Sequence, residues 1–179
     1  MFVEPIGQQI AVCSFDEAAR LTLLDKNFWN VISIHGPRDL KAQLRLAKTV
    51  HYSCFDDIEE EDSTFYRSPR TADVAGIFAH IRSLGVGPPA PPLMVHCQQG
   101  ISRSTAVALA WIYGQLPAKH DRAARSIDLI LEVRPQARPN QLVLAFGLAQ
   151  FMESSEARRL AHRMTSEPRF MRNQFRGPM

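Results

Sequence analysis

A cysteine, an arginine and a serine lie close together in the segment VHCQQGISRST, residues 95–105. Cys97 follows a histidine, five residues separate it from Arg103, and Ser104 comes next. A cysteine thiolate is a strong nucleophile, and the planar guanidinium of an arginine can hold two oxygens of a phosphate at once. These residue types at this spacing indicate covalent chemistry on a tetrahedral oxyanion.

The elements on either side of this segment would bring the two side chains together. PLMVH, residues 92–96, reads as a short apolar strand, and the apolar run that starts at Arg103 predicts a buried helix. So short a loop must curl, which turns its amides inward beside the unpaired N–H groups of the first helical turn, and such a nest binds phosphate. We therefore expect a cup formed by Arg103 and the loop residues Gln98, Gln99, Gly100, Ile101 and Ser102.

Each reactive side chain of this cup has an expected role. The positive field that attracts phosphate also stabilises a thiolate, so Cys97 should attack a bound phosphorus atom. Ser104 can offer its hydroxyl to the sulfur and ease the departure of the thiolate. His96 is expected to brace the loop backbone, because an ionised thiol needs no base. Gly100 supplies the conformational freedom that the curl requires.

HCQQGISRS, residues 96–104, resembles the signature loop of the cysteine-dependent protein tyrosine phosphatases, in their compact dual-specificity-like branch. The resemblance extends over about residues 8–152 as an order and spacing of elements, and its compact layout fits a bacterial source. It implies Cys97 as the nucleophile, Arg103 with the loop amides as the clamp on the transition state, and Ser104 as the hydroxyl that assists the thiolate.

Phosphoester cleavage also needs a proton donor for the leaving oxygen, carried by a polar loop that can close over the pocket. The strong candidate is CFDDIEEED, residues 54–62. In the phosphatases that this chain resembles, the acid is an aspartate just after a strand, often in the spelling Phe-Asp-Asp. That spelling favours Asp57 as the general acid, with Asp56 as the alternative.

The charge around the cup bears on the substrate. Six of the seven residues 56–62 are carboxylates, and the loop 98–102 contains no lysine. Such a surface should repel a polyanion, so a monophosphorylated protein side chain such as phosphotyrosine or phosphoserine/threonine is favoured. The resemblance to tyrosine phosphatases puts phosphotyrosine first. An inositol phosphate, or another small phosphomonoester, remains the alternative substrate.

A second segment, RPQARPNQ (residues 134–141), resembles the part of these phosphatases that borders the pocket with a Pro-Asn pair. Asn140 is interpreted either as a residue that positions the loop or the hydrolytic water, or as a helix cap beside Pro139. The helix of this region is expected to span residues 139–152.

Strands alternate with helices early in the sequence, and helices dominate late. This order predicts an α/β fold, a three-layer sandwich whose central, mostly parallel sheet is flanked by helices. Residues 1–153 would form the phosphatase domain, and the proline-rich linker 85–92 would lack regular structure. Residues 154–179 contain six arginines and two glutamates and are interpreted as a basic C-terminal helix or tail, favoured as a solvated, partly disordered extension.

Composition narrows the class of protein further. Hydrophobic residues make up 45% of the 179 and charged residues 22%, which is ordinary for a globular domain in water. The N-terminus does not resemble a secretory signal, and no apolar run could cross a membrane. Three scattered cysteines suit neither a disulfide framework nor a zinc site. We expect a cytoplasmic protein without metal, cofactor or nucleic-acid partner, and leave its oligomeric state open.

Two other classes compete with a phosphatase. A sulfurtransferase or an arsenate reductase uses a similar thiol loop, but a persulfide carrier would not need Asp57, and arsenate reductases keep their loop near the N-terminus. A phosphate-binding module that cleaves nothing generally lacks the nucleophile, the arginine or the acid. This chain retains all three, so hydrolysis is the favoured function.

Overall fold

The central sheet carries the reactive segment at its middle. The computed structural model describes residues 1–85 and 89–172. Its strands are β1 (Phe2–Val3), β2 (Gln8–Cys13), β3 (Asn30–His35), β4 (Thr49–Cys54) and β5 (Ala90–His96). Their spatial order is β1-β2-β5-β3-β4, and β1 alone among them runs antiparallel to its neighbour. The predicted mostly parallel sheet is confirmed.

Helices cover both faces of the sheet. They are α1 (Phe15–Leu24), α2 (Thr71–Ser83), α3 (Arg103–Gln115), α4 (Arg122–Val133), α5 (Gln141–Leu148), α6 (Ser154–Thr165) and α7 (Pro168–Arg172). In the larger core, residues of all the helices from α2 through α7 pack with Leu93 and Val95 of β5. In the smaller core, on the other face of the sheet, α1 packs with Met94 of β5. This alternation along β5 is the period of a strand buried on both faces, and it confirms the three layers.

The parallel order brings three loops to one edge of the sheet. β5 ends at His96, β3 at His35 and β4 at Cys54, and neighbouring parallel strands share their carboxyl edge. In open α/β sheets, ligands bind in the crevice beyond that edge. The loop 97–102 therefore meets the segment after β3 and the acidic loop after β4.

The prediction that the linker 85–92 lacks regular structure is wrong for its last residues, because β5 begins at Ala90. Gln8 Nε2 donates to the carbonyl of Pro91 at 2.7 Å, and Asn30 Nδ2 donates to that of Pro92 at 3.0 Å. Side-chain amides of the two neighbouring strands thus bond to a segment whose prolines have no N–H to offer. The part of the prediction that concerns residues 86–88 lies outside the described residues.

The C-terminal segment is helical and packed, in contrast to the expected solvated extension. α6 buries Ala157, Leu160, Ala161 and Met164, and α7 buries Phe170, all within the larger core. Within residues 1–85 and 89–172, no helix is long and apolar enough to span a membrane. Residues 173–179 of the predicted tail lie outside the described part of the chain.

This packing predicts an asymmetric response to substitution along α6. Leu160→Ala, at a side chain that is 6% exposed, should lower the free energy of unfolding by about 2–5 kcal/mol through lost burial and a cavity. Arg163→Ala, at an exposed position on the same helix, should change it by less than about 0.5 kcal/mol. Urea denaturation measures both. Equal effects would mean that α6 is not part of the folded core.

Candidate active site

Gly100 lies where the reactive loop packs closely against the main chain at the junction of β2 and α1. Its φ is +69°, in the left-handed region that favours glycine. A Cβ at this position would lie 2.3 Å from the carbonyl carbon of Cys13 and 2.5 Å from Ser14 N. No side chain fits there, so the tight curl of the loop depends on glycine.

The carbonyl groups of the loop are bonded away from the cup. Each accepts from a group on the outer side: Gln98 O from Phe15 N (3.2 Å), Gln99 O and Gly100 O from Arg134 (3.3 and 3.0 Å), and Ile101 O from Arg138 N (2.9 Å). Since the N–H and C=O of a peptide point in opposite directions, these bonds turn the amides inward. Among the described residues, no amide of 98–103 donates to another protein atom. The result is a nest of inward-facing amides, an arrangement of the kind that binds anions in proteins.

The first turn of α3 adds to this nest. Ser102 is the N-cap residue, a type that usually accepts from a backbone amide of the first turn, yet its side chain makes no such bond. Its hydroxyl instead donates to Asp57 Oδ1 at 2.7 Å. The positive end of α3 is therefore left open toward the cup.

Cys97 lies at the base of the loop beside Ser104. Their Sγ and Oγ atoms are 3.2 Å apart, and both residues are buried. Cys13, the other buried cysteine, differs: burial, with Glu17 nearby, raises the pKa of its thiol to about 12, so it stays protonated at neutral pH. Of these two thiols, the one at the nest is the candidate nucleophile.

Arg103 is buried with its guanidinium between main chain and carboxylates. Nη1 donates to Phe55 O at 2.8 Å, which fixes the fork. Nη2 lies 3.7 Å from Asp39 Oδ2, and Nε lies 3.8 Å from Asp57 Oδ2. Nε has no hydrogen-bond partner in the described parts of the chain. A tetrahedral oxyanion in the nest would satisfy this donor.

The two aspartates of the acidic loop have different surroundings. Asp56 ties the loop to itself, since its Oδ2 accepts from Arg67 N at 2.8 Å and its own N–H donates to Arg67 O at 2.8 Å. Asp57 instead faces the cup, where Ser102 and Arg103 meet its two oxygens. The geometry favours Asp57 over Asp56 as the acid.

Asn140 joins the acidic loop to α5. Its Oδ1 accepts from Val143 N at 3.0 Å, which makes it the N-cap, so the helix starts at Gln141 and not at Pro139. Helix α5 ends at Leu148, short of the predicted residue 152. Asn140 Nδ2 donates to Asp57 Oδ1 at 2.9 Å and to Ile58 O at 3.1 Å. The cap interpretation is confirmed, and the same side chain also holds the loop.

Two further contacts dock the acidic loop against the C-terminal helices. Glu59 Oε1 accepts from Gln141 N at 2.8 Å, and Arg158 of α6 pairs with Glu61 at 2.6 Å. A cavity of about 250 Å³ lies between this loop and α5 and α6. With Asp56 and Asp57, four of the six carboxylates of residues 56–62 thus accept hydrogen bonds or ion pairs from the protein itself.

His96 is neutral and supports the loop from β5. Its Nδ1 donates to Cys97 O at 3.5 Å, and its Nε2 is buried without a partner among the described residues. Burial, helped by the nearby His35, lowers the pKa of His96 to about 4 against the smaller opposite effect of the bond to Cys97 O. A neutral ring at this place agrees with the bracing role expected from the sequence.

Sequence reasoning did not identify two charged residues of the site, Asp39 and Arg134. Asp39 follows β3, and only the strand order, which brings the ends of β3 and β5 together, reveals its proximity to Arg103. Arg134 begins the RPQARPNQ segment, and its sequence neighbourhood carries no signal that it bonds to the loop 97–102. Over residues 1–85 and 89–172 there is no group of three or more potential metal ligands.

Comparison with known proteins identifies the fold. No family profile matches the sequence, and no curated protein matches it. Crystal structures that match over most of their length include human DUSP28 (18% identity, TM-score 0.53, 83% of this chain and 94% of that one) and a mouse putative dual specificity phosphatase complexed with zinc tungstate (19%, 0.52, 86% and 87%). The Yvh1 phosphatase domain from Chaetomium thermophilum is similar as well (18%, 0.52, 81% and 90%). The chain therefore has the fold of these phosphatase domains.

The state of His96 predicts a pH-dependent stability. Its pKa is about 4 in the folded protein against 6.5 when unperturbed, so between these values only the unfolded chain binds the proton. The neutral His96 ring therefore leaves the free energy of unfolding undiminished above pH 6.5. As the pH falls toward 4, protonation of the unfolded chain lowers that free energy by roughly 3 kcal/mol. We expect urea unfolding at pH 7.5 and 4.5 to show a smaller difference for His96→Asn than for wild type. Identical pH dependence would contradict a buried neutral ring.

Proposed function

We propose that this protein is a cysteine-dependent phosphatase that hydrolyses phosphomonoesters on protein side chains, phosphotyrosine above all. The observation that carries the proposal is the nest itself: the loop that follows Cys97 has inward-facing amides, the N-terminus of α3 has no side-chain cap, and the buried guanidinium of Arg103 begins that helix. Asp57 contacts two residues of the same site, Ser102 Oγ at 2.7 Å and Arg103 Nε at 3.8 Å. This combination of a candidate nucleophile, oxyanion donors and a candidate acid supports phosphoryl-transfer chemistry.

The first step transfers the phosphoryl group to the enzyme. The Cys97 thiolate attacks phosphorus in line, an S–P bond forms, and the bond to the leaving oxygen breaks. The amides of 98–103 and Arg103 hold the three equatorial oxygens, where charge develops. The protonated Asp57 carboxyl gives its proton to the departing oxygen, which leaves as a neutral alcohol or phenol.

The second step regenerates the thiol site. The Asp57 carboxylate takes a proton from a water molecule whose oxygen attacks phosphorus, and the S–P bond breaks to release inorganic phosphate. Ser104 is 3.2 Å from the sulfur and can donate to the leaving thiolate. The cycle needs no metal and no redox partner. It does need a reduced Cys97, which suits the cytoplasm, and three free thiols accord with that compartment.

The charge of the rim supports a protein substrate over a polyphosphorylated one. Asp39 and Asp57 flank Arg103, and Glu60 and Asp62 are exposed on the acidic loop. A single phosphate can enter such a nest, while additional phosphates would face these carboxylates. Basic residues beside the phosphorylated side chain would be attracted instead. An inositol phosphate stays the second candidate.

The first test is phosphate release by wild type and by Cys97→Ser, at mildly acidic pH under reducing conditions. The panel contains a phosphotyrosine peptide with basic neighbours, a phosphoserine peptide and an inositol phosphate. We expect release from the tyrosine peptide by wild type and none by Cys97→Ser, because a serine alkoxide does not form there, while both proteins bind tungstate.

Other results of the same panel would change the proposal. Equal turnover by Cys97→Ser would exclude the covalent route. Release from the inositol phosphate in preference to the peptides would contradict the charge argument about the rim. Tungstate binding without release from any substrate would instead indicate a phosphate-binding module.

The second test concerns the acid. Asp57→Asn should slow release of phenol from phenyl phosphate roughly 10²- to 10⁴-fold, because the poor leaving group needs a proton. A substrate with an excellent leaving group, such as p-nitrophenyl phosphate, should be affected far less. Asp62→Asn makes the same charge change at an exposed position of the same loop and is the matched control. A uniform loss over both substrates, or the same result for both variants, would exclude Asp57 as the acid.

A further inference from the structure

Arg134, at the C-terminal end of α4, bonds to two consecutive carbonyls on the outer side of the reactive loop. Nε donates to Gly100 O at 3.0 Å and Nη2 to Gln99 O at 3.3 Å. Its side chain is 12% exposed. With the amide of Gln136 turned so that its oxygen faces the guanidinium, that oxygen accepts from the same two nitrogens at 3.0 and 3.1 Å. Arg134 therefore belongs to the support of the loop.

Glu17 fixes the third nitrogen of this guanidinium. Arg134 Nη1 lies 3.0 Å from Glu17 Oε1, and Glu17 Oε2 accepts from Ser14 N at 2.7 Å. Ser14 Oγ accepts in return from Glu17 N at 3.3 Å, which closes the capping box at the start of α1. The arginine is thus held by a carboxylate that is itself fixed at a helix terminus.

The two carbonyls held by Arg134 are those most able to reverse. Gly100 has no Cβ, and the peptide groups on either side of a glycine rotate with little steric cost. Rotation of either peptide would turn a carbonyl oxygen into the cup in place of an N–H group. An oxygen dipole there would repel an oxyanion and remove one of its donors.

We propose that Arg134, anchored by Glu17, is a positioning residue that keeps the carbonyls of Gln99 and Gly100 turned outward and so keeps their neighbouring amides in the oxyanion site. Its effect on turnover rests on the function proposed above. Its effect on oxyanion binding does not, because tungstate binding needs the nest and no chemistry.

Arg122 supplies a matched control at the other end of the same helix. Its Nε donates to Tyr113 O at 2.6 Å and its Nη2 to Gly114 O at 2.9 Å. It therefore makes the same pair of bonds, to two consecutive carbonyls, at the end of α3 that is remote from the loop. Arg122→Gln removes an equivalent charge and equivalent bonds without touching the site.

The experiment compares Arg134→Gln, Arg122→Gln and wild type by tungstate titration calorimetry and by steady-state kinetics. We expect Arg134→Gln to bind tungstate about 10- to 100-fold more weakly, with lower kcat and higher KM. The ratio of rates on phenyl and p-nitrophenyl phosphate should stay at the wild-type value, since Asp57 is not disturbed. Arg122→Gln should match wild type in tungstate affinity.

Several results would overturn the inference. Equal tungstate affinity of Arg134→Gln and Arg122→Gln would show that the loop keeps its form without Arg134. A changed ratio between the two substrates would mean that the substitution acts through the acid instead. Should Arg134→Gln not fold, Arg134→Lys, which keeps the charge but lacks the rigid planar fork, should show an intermediate loss relative to Arg122→Lys. No loss would again overturn the inference.

The design separates this inference from the proposed function. If wild type releases no phosphate from any substrate but Arg134→Gln binds tungstate more weakly than Arg122→Gln, the function fails and the positioning role stands. If wild type is active through Cys97 and the two glutamine variants agree with each other, the function stands and the positioning role fails.

Discussion

The site depends on one main-chain constraint: the amides of residues 98–103 can face an anion only while their carbonyls are bonded elsewhere. Those bonds come from three different parts of the chain, the start of α1, the end of α4 and the segment before α5. The surrounding fold therefore holds the outward-facing carbonyls of the loop. Gly100 allows the curl sterically, and the surrounding helices impose it.

Two of the C-terminal arginines form ion pairs within the protein. A basic tail is commonly associated with nucleic acids or membrane surfaces. Here Arg158 pairs with Glu61 of the acidic loop, and Arg169 pairs with Asp128 and Glu167. These exposed pairs contribute little stability singly. Arg158 nevertheless joins α6 to the loop that carries the candidate acid, so the end of the described chain is connected to the site.

The fold class and the position of the loop between β5 and α3 could be predicted from the sequence. Strand and helix periodicity predicted β5 and α3, and their junction predicted a nest at Cys97. The charged residues around Arg103 could not be predicted. Asp39 lies near Arg103 because β3 is the neighbour of β5 in the sheet, and hydrophobic periodicity does not specify the order of strands. Ser102 shows the same limit in another form, since a serine at a helix start is expected to cap it, and only the position of Asp57 draws its hydroxyl away.

That displaced hydroxyl means that the terminus of α3 lacks the side-chain cap which ordinarily completes a helix, at a cost of about 1 kcal/mol. The phosphate of a substrate would take the place of that cap, so the ligand would finish a piece of secondary structure. Helix capping and phosphate binding would then use one set of N–H groups. An oxyanion that binds in the nest binds the folded protein and not the unfolded chain. The melting temperature of the whole domain will therefore rise with the concentration of that oxyanion.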